Sequence, residues 1–414
     1  MIDFDIESFV RKYMTKRAES LLAADFAKCR DEMYRRIDGK RILVIGGAGT
    51  IGSNYVKAAL RGFKPSAMYV VDIDENALTE LTRELRAGEG YNVPDEYVTE
   101  PIDLGSELFE RFFKARGPFD IVANFAARKH VRAERDVFSI EAMCETNVFM
   151  AKKLLDLLLD NPPEAFFCVS TDKAANPVNV MGATKKLMEE TIMAYSGRLP
   201  IKTARFANVA FSNGSLPIGW LNRIAKRQPL SCPMGIRRFF VSPIESGELC
   251  LFASVMAESG DIVYPKLDPE KDMIPFDAVV RDMLDYMGLG CRACGSTDEA
   301  KKVMGDLNRV ERVDRVEGNN GYPCEFFGSD TSGEKTFEEF YTDTDDKDET
   351  TFVNLGVVKN SKKRPVEEVE AIFSLLRAVF ARKDATKADV VETLKDYLPN
   401  FQHIEKGKSL DSRM

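Results

Sequence analysis

The sequence predicts an α/β protein built on a doubly wound parallel sheet, with a smaller α+β lobe beside it. Between residues 40 and 210, short β-branched or aromatic runs alternate with stretches of helical periodicity. This alternation is typical of βαβ units with helices on both faces of the sheet. After residue 211 the alternation stops, and Pro, Gly and Asn become frequent. The five strand-like runs are RILVI, MYVVD, FDIVANF, AFFCVS and KTARFANV.

The chain of 414 residues accommodates one large domain or two ordinary ones. Four parts are predicted: an N-terminal helical arm (1–38), the domain of the parallel sheet (39–210), the smaller lobe with an insertion (211–360), and C-terminal helices with a tail (361–414). The arm has apolar residues at helical spacing, and we expect it to pack on the body or on another subunit. Near the C-terminus, Thr386 and Asp389 have the spacing of a capping box and predict the start of a last helix.

Composition and charge exclude several classes of protein. Apolar residues make up 44% and charged residues 30% of the chain, as in globular proteins. The formal net charge of -8 argues against nonspecific nucleic-acid binding. No apolar run is long enough to span a bilayer, and the acidic N-terminus is unlike a signal peptide, so we expect a cytoplasmic protein without a membrane span. Eight scattered cysteines, with one CxxC at Cys291 and Cys294 and only two histidines, predict neither disulfides nor a metal site.

A glycine-rich turn follows the first predicted strand and opens a helix. The segment GGAGTIG fits G-x-G-x-x-G with Gly47, Gly49 and Gly52, or G-x-x-G-x-x-G with Gly46 in first place. Such glycines permit a tight turn and let a pyrophosphate approach the helix N-terminus, as in Rossmann-type domains. Asp72, twenty residues after Gly52, is placed to bind the adenosine ribose, and its charge favours NAD over NADP. Residues 39–210 are therefore predicted to bind NAD.

The longer motifs resemble those of the CapD-like extended short-chain dehydrogenase/reductases, which include nucleotide-sugar 4,6-dehydratases. The matching segments, in the family's order, are GGAGTIGS (46–53), VVDIDENAL (70–78), NFAARKHV (124–131), ETNV (145–148), VSTDKAANPVNVMGATK (169–185), RFANV (205–209), NGS (213–215), RFFVSPIES (238–246) and GEKTFEEFY (333–341). The resemblance implies NAD-dependent 4,6-dehydration of a nucleotide-activated N-acetylhexosamine, UDP-N-acetylglucosamine by default, for a surface glycan. It also implies a homo-oligomer. The N-terminal arm and residues 255–330 match poorly or not at all.

The resemblance assigns the proton transfers of dehydration to Thr171, Asp172 and Lys173. The C5 proton of a hexose becomes acidic only when C4 is a ketone. The reaction therefore requires hydride removal from C4 and its return to C6, which is the chemistry of a bound NAD that is regenerated. In this scheme Asp172 protonates the departing C6 oxygen, Lys173 removes the C5 proton, and Thr171 holds the C4 oxygen. Lys173 must then be neutral and Asp172 protonated. If these two residues are considered without the surrounding motif, an ordinary ion pair between them is the alternative.

Lys185 stands where short-chain dehydrogenases have the lysine of Tyr-x-x-x-Lys, but the tyrosine position is Met181. In the family that the chain resembles, one branch has Met at this position, and that branch includes retaining UDP-N-acetylglucosamine 4,6-dehydratases. Without the tyrosine, the C4 hydroxyl proton is expected to pass through Thr171 to Asp172 or to water. Lys185 is expected to bind the nicotinamide ribose and supply positive charge. Taken alone, Met181 would be read as core filler.

Further contacts to cofactor and substrate are predicted from the matching segments. For the cofactor they are Thr50, Ile51 and Ala126, to which Asp103 is added from its place after the third predicted strand; for the substrate they are Lys129, Asn147, Arg205, Asn208, Ser215, Arg238 and Glu334. Asp103 is expected to reach the adenine or else to cap a helix. The arginines suit a diphosphate, with salt bridges as the alternative, and Asn147 either positions the active-site lysine or packs a helix. Thr331 and Ser332 stand where many relatives have Arg-Pro, so UDP, GDP and CDP all stay open.

Two other functions remain open at this point. A 4-epimerase, or a dehydratase with a C5-epimerase step, would use the same cofactor end, although a pure epimerase has no need of an Asp-Lys pair. A non-catalytic NAD-binding sensor would keep the glycine turn and Asp72 but has no need of Thr171, Asp172 and Lys173.

Overall fold

The computed structural model describes residues 4–309, 321–328, 339–359, 361 and 363–405. Within these residues the predicted α/β fold is confirmed by a nine-stranded sheet of order β14-β15-β10-β6-β5-β4-β1-β2-β3. Its strands are β1 (Arg41–Ile45), β2 (Ala67–Val71), β3 (Glu96–Glu100), β4 (Ile121–Asn124), β5 (Ala165–Val169), β6 (Ile201–Ala204), β10 (Ile262–Pro265), β14 (Asp346–Asp348) and β15 (Leu355–Lys359). The seven strands from β10 to β3 are parallel, and β15 and β14 extend that sheet in antiparallel fashion.

Helices cover both faces of this sheet, as expected for strands that are buried on both sides. The α-helices are α1 (Ile6–Phe9), α2 (Ala23–Ile37), α3 (Thr50–Gly62), α4 (Glu75–Ala87), α5 (Glu107–Arg116), α6 (Val137–Cys144), α7 (Met150–Asp160), α8 (Val180–Ala194), α9 (Leu216–Ala225), α10 (Pro243–Met256), α11 (Phe276–Tyr286), α12 (Thr297–Asn308), α13 (Val366–Phe380) and α14 (Lys387–Tyr397). Short turns of 3₁₀-helix span Val131–Ala133 and Asp172–Ala174, and π-helical turns span Val10–Met14 and Glu145–Phe149.

The order of the strands places a crevice at one edge of the sheet. The chain runs outward from β1 through β2 to β3, and then returns to β4 on the other side of β1. At such a switch point the connections leave in opposite directions, which opens a crevice at the carboxyl ends of β1 and β4. The predicted glycine turn follows β1, so the fold places it at this crevice.

Two three-stranded sheets make up the core of the smaller lobe. Their strands are β7 (Asn208–Val209), β8 (Leu230–Met234), β9 (Arg237–Val241), β11 (Met273–Pro275), β12 (Cys291–Cys294) and β13 (Tyr322–Gly328), in the orders β11-β9-β7 and β12-β13-β8. Strands β10, β14 and β15 belong to the range 211–360 but join the large sheet. The two parts therefore exchange segments, and the predicted domain boundaries stay a prediction.

The N-terminal arm packs on the body of the same chain. It is not one helix, because α1 and a π-helical turn are separated from α2 by an irregular stretch of residues 15–22. Phe4 and Phe9 pack against Phe211 of the smaller lobe, with ring centroids 5.6 and 5.8 Å apart. In α2, buried Asp25 accepts hydrogen bonds from the backbone N–H groups of Val353 and Asn354. The arm thus holds the smaller lobe and the large sheet together.

The C-terminal helices α13 and α14 cover the outer face of α6 and α8. Thr386 and Asp389 form the predicted capping box at the start of α14. The apolar side chains between the four helices form a separate cluster that includes Val180, Leu187 and Phe373. Among the described residues, no helix is both long and apolar enough to cross a membrane.

Candidate active site

Neighbouring backbone atoms leave no room for a side chain at two positions of the glycine turn. Gly46 has φ +70°, and a Cβ atom there would collide with the backbone of Ala126. A Cβ on Gly52 would collide with the carbonyl oxygen of Gly46. Helix α3 begins at Thr50 after Gly49, and no side chain among the described residues caps it. A compact turn beneath an uncapped helix N-terminus fits the phosphates of a dinucleotide.

Asp72 and Thr50 hold the glycine turn in place. The Asp72 carboxylate follows β2 and accepts hydrogen bonds from the Ala48 N–H at 2.9 Å and the Asp74 N–H at 3.1 Å. Thr50 Oγ1 accepts a hydrogen bond of 3.0 Å from the backbone N–H of Asn213, in the loop after β7. Asp72 therefore lies beside the glycine turn, where it was predicted to meet the ribose. Ile51 is the second residue of α3.

Asp103 lies at the same edge of the sheet, after β3. It is exposed, and its Oδ1 accepts a hydrogen bond of 2.8 Å from the Gly105 N–H. The alternative reading of Asp103 as a helix cap is wrong, because Ser106 is the residue that caps α5. The predicted contact of Asp103 with an adenine stays a prediction.

Thr171, Asp172 and Lys173 form a compact turn directly after β5. Asp172 Oδ1 accepts hydrogen bonds from Thr171 Oγ1 at 2.7 Å and from Lys173 Nζ at 3.0 Å. Asp172 is buried, whereas Thr171 and Lys173 are half-buried. One carboxylate oxygen is thus within proton-transfer distance of a hydroxyl group and an amine, a geometry suited to acid–base chemistry.

Lys185 lies behind this turn on α8. Its Nζ donates a hydrogen bond of 2.6 Å to the carbonyl oxygen of Val169, the last residue of β5. Burial lowers the pKa of Lys185, and the neighbouring Cys168 and Glu189 oppose that shift. Met181, one helical turn earlier, is also buried and accepts a backbone hydrogen bond from Thr184 Oγ1.

Asn147 links the loop after β4 to the helix of Lys185. Its Oδ1 accepts a hydrogen bond of 2.8 Å from the Arg128 N–H, and its Nδ2 donates to the Arg128 carbonyl oxygen and to Thr184 Oγ1. Both amide hydrogens are therefore engaged within the protein. These contacts tie the loop after β4 to α8, as expected for a buried helix-packing role, and the positioning of Lys185 by Asn147 stays a prediction.

Arg205 requires a correction, because its guanidinium group has no face free for a diphosphate. It is buried, and it forms a bidentate ion pair with Glu189 at 2.8 and 2.7 Å. Its third contact is a hydrogen bond to the carbonyl oxygen of Phe340. The segment RFANV predicted a substrate contact, but Arg205 instead ties β6 to α8 inside the protein.

The other predicted substrate contacts lie on several different elements. Asn208 Nδ2 and Ser215 Oγ are buried, and neither has a hydrogen-bond partner among the described residues. Arg238 is buried in β9 and donates to the carbonyl oxygen of Arg237. Lys129 is exposed on the loop after β4. Glu334 lies outside the described residues.

Two buried carboxylates were missed by the sequence reasoning. Glu189 accepts hydrogen bonds from Ser170 Oγ and Arg205, and Glu134 accepts one from the backbone N–H of Val180. Glu189 follows Lys185 by four residues and therefore shares its helical face, which is a weak signal. Glu134 has no comparable signal, because its partner is 46 residues away.

Comparison with known proteins identifies the family. The family model described as polysaccharide biosynthesis protein matches residues 42–360, which is more than half of the chain. The chain belongs to this family. The predicted CapD-like membership is thereby confirmed, and the match contains every segment that carried the resemblance.

The curated relatives of this chain have diverse names. An uncharacterized membrane protein of Methanocaldococcus jannaschii is 36% identical over 60% of this chain and 73% of its own length. An inverting UDP-N-acetylglucosamine 4,6-dehydratase of Campylobacter jejuni is 28% identical over 62% of this chain and 75% of its own length. The capsular polysaccharide biosynthesis protein CapD of Staphylococcus aureus is 27% identical over 55% of this chain, and the match spans only 38% of CapD.

Solved structures share the fold of this chain. Pen from Bacillus thuringiensis has a TM-score of 0.59 and 22% identity, with 80% of this chain and 92% of Pen covered. A UDP-glucuronic acid 4-epimerase from Bacillus cereus, solved with UDP-glucuronic acid and NAD, has a TM-score of 0.51 and 14% identity, with 82% of this chain and 99% of that chain covered. At these identities the likeness concerns the fold alone.

Proposed function

We propose that the chain is an NAD-dependent 4,6-dehydratase of a nucleotide-activated N-acetylhexosamine, with UDP-N-acetylglucosamine as the default substrate. The observation that carries the proposal is the convergence of Thr171 Oγ1 and Lys173 Nζ on one oxygen of Asp172. Hydride transfer alone has no need of this arrangement, whereas elimination of water needs an acid for the departing oxygen and a base for the carbon-bound proton. The relatives named as UDP-N-acetylglucosamine 4,6-dehydratases support the same choice.

The glycine turn and its neighbours fit NAD. The tight backbone at Gly46 and Gly52 and the uncapped start of α3 suit its pyrophosphate, and the Asp72 carboxylate suits an unphosphorylated ribose. When bound, NAD supplies the hydride acceptance and return that 4,6-dehydration requires. Lys185 is proposed to bind the nicotinamide ribose, with Ala126, Ile51 and Asp103 lining the rest of the cofactor site.

The Asp172–Lys173 contact suggests how both groups reach the states that elimination requires. Transfer of one proton from Lys173 Nζ to Asp172 Oδ1, across 3.0 Å, leaves a neutral amine and a protonated carboxyl group. Lys173 then removes the C5 proton, and Asp172 protonates the departing C6 oxygen. Thr171, hydrogen-bonded to the same carboxyl group, relays the C4 hydroxyl proton to water, because Asp172 already holds the proton from Lys173; this relay takes the place of the tyrosine that Met181 replaces.

The substrate is proposed to lie between the turn of Thr171 and the smaller lobe. Asn208 Nδ2 and Ser215 Oγ have no partner among the described residues and offer neutral donors to the nucleotide sugar. Lys129 and Arg238 offer positive charge for its diphosphate. Arg205 has no part in this scheme, because its ion pair with Glu189 occupies it.

An Asp172→Asn variant tests the proposal at its centre. We expect turnover to fall about 10²–10⁴-fold, because the amide cannot donate the proton that the C6 oxygen needs. NAD affinity, measured by fluorescence titration, should stay within about twofold of the wild type, because Asp172 does not contact the glycine turn. Normal turnover by the variant would contradict the scheme.

A 4-epimerase is the second candidate, because UDP-glucose 4-epimerases of Rickettsia species are also relatives, at 27–28% identity. Incubation of the purified protein with UDP-N-acetylglucosamine in deuterated water separates the two activities. A dehydratase yields a product lighter by one water and deuterated at C5, whereas an epimerase yields an isomer of unchanged mass. NMR of the product assigns the C5 configuration. If the protein retains NAD but changes none of the UDP-, GDP- or CDP-sugars, the result would favour the third candidate, a non-catalytic NAD-binding sensor.

A further inference from the structure

A short C-terminal segment reaches the candidate active site from outside the family match. The match ends at residue 360, and we call residues Phe401–Glu405, which follow α14, the C-terminal strap. The strap runs along residues 177–180, between the turn of Thr171 and the start of α8. The Gln402 N–H donates to the Pro177 carbonyl oxygen at 3.1 Å, and the Ile404 N–H donates to the Val178 carbonyl oxygen at 2.9 Å. Phe401 anchors the strap in the apolar cluster beneath α13 and α14.

Glu134 connects the strap to the first residue of α8. One of its carboxylate oxygens accepts a hydrogen bond of 2.7 Å from the Val180 N–H, and the other lies 2.6 Å from His403 Nε2. Lys387 Nζ, from α14, is 3.4 Å from the same carboxylate. The side chains of Glu134 and His403 are only 6% and 9% exposed, so water competes weakly for these contacts.

The start of α8 is in turn coupled to both halves of the proposed chemistry. Lys185 lies on α8, five residues after Val180. Gly182 packs so closely against the Lys173 carbonyl oxygen that a Cβ atom would lie 2.6 Å from it. A shift of the helix start would therefore move Lys185 and the turn of Lys173 together. Small displacements of this kind are costly for catalysis, up to about 10²-fold for 1 Å.

We infer that His403, acting through Glu134, is a positioning residue that holds the start of α8 in register with the turn of Thr171, Asp172 and Lys173. The inference rests on the proposed function, because the turn is the proposed centre of the chemistry. His403 itself contacts neither that turn nor Lys185. The C-terminal strap thus makes residues beyond the family match part of the apparatus that orients the site.

Two matched pairs of variants test the inference. His403→Ala removes the ring contact to Glu134, whereas His403→Gln retains a side-chain donor. Gln402→Pro removes the N–H that binds Pro177, whereas Gln402→Ala keeps it and changes only an exposed side chain. We expect kcat for UDP-N-acetylglucosamine to fall about tenfold in His403→Ala and Gln402→Pro, with KM and NAD affinity within about twofold. His403→Gln should recover most of kcat, and Gln402→Ala should match the wild type.

Amide hydrogen exchange in the same variants separates this inference from the proposed function. We expect faster exchange over residues 177–185 in His403→Ala and Gln402→Pro, but not in the controls His403→Gln and Gln402→Ala. This expectation holds whether or not the chain is a dehydratase. If the wild type is inactive on all nucleotide sugars but the variants show this exchange pattern, the proposed function is overturned and the positioning role of the strap is supported. If the wild type is active, and His403→Ala and Gln402→Pro leave both kcat and exchange unchanged, the positioning role of the strap is overturned. A parallel loss of NAD affinity and thermal stability in His403→Ala would also overturn it, by indicating a merely structural role.

Discussion

At the scale of single residues, two buried carboxylates have different roles because they have different partners. Asp172 shares one oxygen between Thr171 and Lys173 next to the crevice, whereas Glu189 is enclosed with Arg205 and Ser170. Burial alone would raise the pKa of Glu189, but Arg205, Lys186 and Ser170 together lower it to about 2. Glu189 therefore stays charged and structural, while the contacts of Asp172 permit proton exchange.

The Glu189–Arg205 pair predicts a pH-dependent effect of Glu189→Gln. The variant removes the buried bidentate partner of Arg205 and leaves only the more exposed Asp345 at 3.6 Å, so the free energy of unfolding should fall by about 3–5 kcal/mol at neutral pH. Because the folded-state pKa is lowered, the wild-type advantage should be fully present above pH 4.5 and vanish as the pH falls towards 2. Denaturant unfolding from pH 7 to pH 2 measures the difference.

A matched control for that experiment is Glu258→Gln, because Glu258 is 84% exposed in its pair with Lys359. Its unfolding free energy should differ from the wild type by less than about 1 kcal/mol at neutral pH. A gap between Glu189→Gln and wild type that persists unchanged at pH 2 would contradict the assigned role of the pair.

At the scale of elements, the glycine turn and α3 form one unit whose geometry depends on missing side chains. Gly46 lies against Ala126 and Gly52 lies against Gly46, so the β1 end, the helix start and the loop after β4 are in direct contact. The spacing of the glycines was visible in the sequence. The contact with Ala126 was not, because it joins residues 80 positions apart that meet only when β1 and β4 pair.

Gly52→Ala should damage this unit, whereas Gly62→Ala should not. A methyl group on Gly52 collides with backbone, which should cost about 1–3 kcal/mol in unfolding free energy and weaken NAD binding. Gly62, the last residue of α3, has nothing within 4 Å of a Cβ atom, so its replacement should be neutral or slightly stabilising. Thermal unfolding and NAD titration of both variants measure this, and equal behaviour would contradict the steric account.

At the scale of the whole molecule, segments outside the family match hold its parts together. The N-terminal arm packs Phe9 into the smaller lobe and places Asp25 of α2 at the start of β15. The C-terminal helices cover α8, and the strap beyond them contacts the segment between the turn of Thr171 and α8. Segments on both sides of the family match thus pack against the matched part of the chain.

Because the N-terminal arm packs on the body, Phe9→Ala should destabilise the protein, even though Phe9 lies far from the glycine turn in the sequence. Phe9 is fully buried among aromatic side chains, so its removal should cost about 3–5 kcal/mol. Phe138→Ala is the control, because Phe138 is 76% exposed and its loss should change stability by no more than about 0.5 kcal/mol. Equal unfolding midpoints in urea would mean that the arm does not stabilise the body.

Local residue patterns were sufficient for the fold class, the order of the βαβ units, the glycine turn, the capping box of α14 and the adjacency of Thr171, Asp172 and Lys173. Each of these depends on neighbours within a few positions, where periodicity and turn chemistry act directly. Folding alone decided that Arg205 pairs with Glu189 instead of facing a substrate, and that Glu134 and His403 meet at the start of α8. These contacts join distant segments, and a buried charge takes whichever partner the packed sheet brings to it, because an unpaired charge in the interior is too costly.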